Sequence, residues 1–91
     1  MQAKIVKISL LVCDGCLKIE TPNHLVGEIV DILEYEDAGY DSEYPTGEER
    51  AHFIFKRSNG DVGNEDCAMF RKLDGTRFFW NDIKDLPRNF N

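Results

Sequence analysis

Cys13 and Cys16 stand at C-x-x-C spacing after an apolar run, and a third thiol follows at Cys67. Two thiolates on one turn suit a tetrahedral zinc ion, which wants four sulfur or imidazole ligands. Cys67 supplies a third donor and His24 or His52 a fourth, so the candidate metal set is Cys13, Cys16 and Cys67 with one of the two histidines. A redox pair instead needs its cysteines at a helix N-terminus, where the dipole lowers the thiol pKa. Leu17 to Glu20 read as extended chain, followed by Thr21-Pro22, so Cys16 opens no helix and a thiol oxidoreductase is the weaker expectation. The plain alternative is that Cys67 is a small core residue and the other two are reduced thiols. An odd cysteine count without an even, spaced set argues against a secreted disulfide scaffold. The expectation is no cofactor, or one structural zinc, in a cytoplasmic protein.

Other catalytic constellations are missing from the sequence. His24 and His52 make no triad with an identifiable serine or cysteine, and no phosphate-cradling glycine loop or dinucleotide fingerprint occurs. The chain therefore reads as a non-enzyme. Its 91 residues make one domain with a single core and modest stability. The run Ile8 to Val12 is too short for a membrane span, and Asp14 follows it at once.

Charge is the stronger signal. The chain carries 17 acids and 11 bases, a net charge of -6, and residues 25 to 49 hold nine of the acids with no lysine or arginine. Without that block, 17 - 9 = 8 acids face 11 bases, a balance of +3. Like charges packed this closely repel one another and weaken the fold unless a partner or cation offsets them. The candidate partner-binding residues are Glu28, Asp31, Glu34, Tyr35, Glu36, Asp37, Tyr40, Asp41, Glu43, Tyr44, Glu48 and Glu49. The tyrosines offer apolar area with a polar handle at little entropy cost. Acids two apart in extended chain, such as Glu34 with Glu36 or Asp41 with Glu43, lie about 6.6 Å apart, close to the phosphate spacing of one nucleic-acid strand. Phe53 and Phe55 beside Arg50, Lys56 and Arg57 have the look of a base-stacking sheet, but the net charge opposes a polyanion and places these rings in the core.

Several elements must position these residues. Val6, Ile8, Leu10 and Val12 alternate through a strand over 4 to 12. Thr21 can cap, and Pro22 can start, a helix from about Asn23 to Tyr35, carrying Leu25, Ile29, Ile32 and Leu33. A strand from Glu28 to Glu36, paired with the strand after the acidic loop, competes with that helix, because Ile29, Val30 and Ile32 are β-branched. Residues 36 to 49 read as a loop. Arg50 to Arg57 alternates cleanly as a strand, and Asn59-Gly60 signals a two-residue hairpin with only a short return at Val62 and Gly63. Asn64 then caps a helix with Cys67, Phe70 and Leu73 inward, followed by a strand over Thr76 to Trp80 and a short helix from Asn81 to Leu86. The expected class is α+β: a small antiparallel sheet with two helices on one face.

Two resemblances follow from these residues. Cys13-Asp14-Gly15-Cys16 after a strand, with the hairpin and Asn64-Glu65-Asp66-Cys67 beyond, resembles the zinc-ribbon (knuckle) proteins of phages and bacteria. Asn64 stands where the second pair's first cysteine would be, and Leu17 where a knuckle glycine would be. In composition the acidic block is similar to the small DNA-mimicking inhibitors that phages use against restriction, CRISPR and transcription enzymes. That likeness implies a non-enzymatic inhibitor in the host cytoplasm, occupying the basic groove of a nucleic-acid-binding host protein and contacting neither nucleic acid nor membrane.

Overall fold

The computed structural model describes residues 1–12, 17–37 and 51–89. Its elements in chain order are β1 (Gln2–Ile5), β2 (Ser9–Val12), β3 (Leu17–Glu20), a 3-10 turn (Asn23–Leu25), β4 (Ile29–Asp37), β5 (Ala51–Lys56), β6 (Val62–Asp66), a second 3-10 turn (Cys67–Met69), β7 (Phe70–Arg71), α1 (Trp80–Ile83) and β8 (Arg88–Asn89). The main sheet runs β6-β5-β4-β1-β7, antiparallel throughout, with β8 alongside β4 in parallel; β2 and β3 form a separate hairpin.

This corrects the expected α+β class with two covering helices: the fold is mostly antiparallel β, and its longest helix among the described residues is the four-residue turn of α1. Residues 23 to 35 form a 3-10 turn and then β4, paired with β5 as the competing reading required. The register shifts between Ile32 and Glu34, so Leu33 is a bulge. Val30 and Ile32 keep the two-residue alternation, and the bulge turns Tyr35 onto their face. Apolar residues three apart on one face imitate a helix, which is why this strand read as one.

The same effect explains the second expected helix. Residues 62 to 66 continue as β6, Asp66 Oδ1 accepts from the Ala68 amide at 2.9 Å, and the 3-10 turn it caps spaces Cys67 from Phe70. The expected strand over 4 to 12 is broken into β1 and β2, and Thr76 to Phe79 form no strand. The hairpin loop has three residues rather than two. The Arg57 amide donates to the Asp61 carbonyl at 2.8 Å, the Gly60 amide to the Arg57 carbonyl at 2.9 Å, and Gly60 takes φ +94°. That is the pattern of a turn closed by a glycine bulge.

Thr21 caps no helix. Its hydroxyl donates to the Val6 carbonyl at 2.8 Å and accepts from the Ile8 amide at 2.9 Å, tying the end of β3 to the link between β1 and β2.

The core lies on one face of the sheet: Ala3, Ile5, Val30, Ile32, Tyr35, Phe53, Phe55 and Phe70, closed over by Ile19, Leu25, Met69 and Ile83. Neighbouring strands sit about 4.8 Å apart, so β5 and β7 would be roughly 14 Å apart in a flat sheet. Phe53 and Phe55 nevertheless meet Phe70 with ring centroids 5.2 and 5.3 Å apart, edge to face. The sheet therefore coils around its aromatic residues, and Phe78 closes the cluster at 5.5 Å from Phe53. Phe53 and Phe55 are core, as expected.

Candidate functional site

The opposite face of the sheet carries exposed and half-buried side chains, and register fixes what stands on it. Residues directly opposite in antiparallel strands share a face. Gln2 with Asp31, Lys4 with Ile29 and with Arg71, Asp31 with Lys56, Glu34 with Ile54, and Glu36 with His52 all belong to this outer side. Its charges are sorted along the strands. Lys4, Lys56 and Arg71 gather at the end where β4 begins, whereas Glu34 and Glu36 stand at the end where β4 leads into residues 38 to 50.

The acidic end carries a side-chain network. His52 Nδ1 lies 3.1 Å from Asn64 Oδ1, and Asn64 Nδ2 lies 3.5 Å from Glu36 Oε2. Because the Asn64 amide nitrogen faces the carboxylate, its oxygen must accept, so His52 carries its hydrogen on Nδ1. Among the described residues, His52, Glu34 and Glu36 stand together at this end. None of this requires bond-making chemistry.

The candidate partner-binding residues separate on placement. Glu28 is neutralised within the chain: Arg57 Nε and Nη2 donate to its two carboxylate oxygens at 2.7 and 2.6 Å. That bidentate hydrogen bond holds the Glu28 carboxyl below its usual range. Asp31 lies among the cations, opposite Lys56. Tyr35 is 1% exposed and belongs to the core, so its ring presents no surface to a partner. Glu34 and Glu36 are half-buried on the outer face, and Asp37 ends β4. Tyr40, Asp41, Glu43, Tyr44, Glu48 and Glu49 lie outside the described residues.

Cys13 and Cys16 lie outside them too. Cys67 is half-buried against the core at the start of its 3-10 turn, His24 is exposed on the first 3-10 turn, and His52 is engaged by Asn64. Among the described residues no group of three metal-ligating side chains converges. No helix among them is long and apolar enough to cross a membrane.

Sequence reasoning missed a second feature. Beneath the side of β6 that pairs with no strand among the described residues, His24, Leu25, Phe55, Arg57, Asp61, Val62, Gly63 and Glu65 line a groove of about 320 Å³. Glu65 projects to the inner side there, and burial pushes its carboxyl up, against the weaker opposing fields of His52 and His24. The signal was available in the hairpin: extending the β5–β6 pairing past Gly63 puts Glu65 opposite the core residue Phe53. No known protein family, curated protein or solved structure matches this chain.

Proposed function

We propose that the protein is a non-catalytic binding module of the phage-inhibitor type, which presents the acidic end of the β4–β5 hairpin to a basic, nucleic-acid-binding surface of a host protein. One observation carries the reading: Glu34 and Glu36 occupy one outer face at the end of the sheet from which the rest of the acidic block continues, while the cations of that face stand at the other end. Successive outward residues on a strand lie about 6.6 Å apart, so two carboxylates held this way imitate neighbouring phosphates. The antiparallel pairing of Glu36 with His52 and Asp37 with Ala51 fixes both ends of the connecting segment against the sheet. The acids are thus delivered from a preorganised base, which lowers the ordering cost of docking.

The test is affinity capture from a host lysate with the whole protein, its Glu34→Gln/Glu36→Gln variant, and duplex DNA as competitor. The expected result is a captured protein that is lost between about 50 and 200 mM salt, as charge-driven contacts are, and that both the double variant and DNA reduce. Capture indifferent to salt, to the substitutions and to DNA would sink the proposal.

A further inference from the structure

The groove under β6 sits beside an unpartnered strand edge. β6 pairs with β5 on one side and with no other strand among the described residues. The hydrogen bond between Arg57 and Asp61 sets the alternation: Gly63 and Glu65 direct their backbone groups at Phe55 and Phe53, and Val62 and Asn64 direct theirs outward. An edge of this kind is a template for another extended chain.

Side chains decide which chain it can be. Gly63 sits directly on the buried ring of Phe55, where a β-carbon would lie 2.6 Å from Cζ, so the strand carries no side chain over the groove at that position. The edges of the buried Phe55 and Leu25 side chains line the groove beneath it. Around it stand Glu65 and Asp61, while the one arginine, Arg57, is already held by the bidentate bond to Glu28 and lies 3.6 Å from Asp61. Two carboxylates, Glu28 and Asp61, therefore share the one guanidinium, and Glu65 has only the imidazoles of His52 and His24 to oppose its charge. An inward-pointing carboxylate on an edge strand rejects partners that offer an apolar or acidic side chain at that position. A second copy of this chain, at net charge -6 and with its own Glu65 at the edge, is among those rejected. A lysine or arginine fits, laying its methylenes in the space that Gly63 leaves and its charge at Glu65.

We infer that β6 is a strand-addition site for an extended segment of a basic protein, with one lysine or arginine of that segment seated in the groove at Glu65. This surface is distinct from the acidic end of β4 and does not depend on it.

The test uses the full chain labelled with 15N and three unstructured probes: a peptide of alternating threonine and lysine, its threonine–arginine counterpart, and its threonine–glutamate counterpart. The basic peptides should shift the amide signals of Gly63, Asn64 and Glu65 and slow hydrogen exchange at Val62 and Asn64, while the acidic peptide does neither. Glu65→Gln should weaken binding roughly tenfold without lowering the thermal midpoint, and Glu34→Gln/Glu36→Gln should leave it unchanged. Shifts confined to residues 34 to 36, no exchange protection in β6, or equal binding by Glu65→Gln would each overturn the inference. So would β6 protection that grows with protein concentration in the absence of peptide, since the edge would then be covered by a second copy.

Discussion

Thr21 shows how much a single hydroxyl can hold. It is 3% exposed and satisfies both a backbone carbonyl and a backbone amide across the link between β1 and β2. Thr21→Val keeps the shape and strands both groups, so a loss of about 1–3 kcal/mol is expected in urea unfolding, without a change in the dependence on denaturant. Two carboxylates give opposite pH signatures. Glu28 is depressed by its hydrogen bonds to Arg57, so its contribution is complete above the ordinary glutamate value of about 4.3 and is lost as pH falls through the lower folded value. Arg57→Gln should therefore lie below the parent in thermal midpoint at pH 7, with the gap closing as pH falls below the ordinary glutamate value. Glu65 is raised by burial, so its ionised form weakens the fold above the folded value and the effect vanishes below the ordinary one. Glu65→Gln should melt higher than the parent at pH 7 and equal to it below about 4. A gap that widens on acidification in either variant would contradict the assignment.

The informative case among the elements is β6, where Phe55 packs across the strand pair onto Gly63. Gly63→Ala drives a methyl into a ring that is itself fixed in the core, and the expected cost is about 1–3 kcal/mol. In a Phe55→Leu background the penalty should shrink, a coupling that a double-mutant cycle reads directly. The elements also show what the sequence could and could not reveal. β5 was legible because Phe53 and Phe55 alternate with polar neighbours and no bulge interrupts them. β4 was legible only as an alternative, since the Leu33 bulge makes the apolar spacing between Ile32 and Tyr35 helical. The 3-10 turn at Cys67 disguised the stretch before Phe70 in the same way. The acidic end of the outer face was half visible: the carboxylates were plain, but the burial of Tyr35 and the capture of Glu28 by Arg57 depend on long-range pairing that no local pattern encodes.

Across the whole molecule the sheet is coiled so tightly that its aromatic cluster spans the strand order from β5 to β7. Phe53→Ala, at a fully buried position in contact with both Phe70 and Phe78, should cost roughly 3–5 kcal/mol. A domain of this size has a total stability of about 5–15 kcal/mol, so this one truncation removes a large share of it. Charge works against compactness at the same scale. Glu34→Gln/Glu36→Gln reduces the net charge from -6 to -4 and should melt no lower than the parent at low salt, while losing its partner. A variant that both unfolds earlier and loses binding would mean that the two acids support the fold rather than a contact.

β1 sits inside the sheet, between β4 and β7, and the Met1 carbonyl accepts from the Ile32 amide at 2.7 Å. During synthesis β1 leaves the ribosome ahead of both its neighbours and must wait for residues 29 to 31 and then 70 to 71 before its two edges are covered. Closure of this part of the sheet is therefore timed by the arrival of β7. Until then the nascent chain is open to chaperones and proteases.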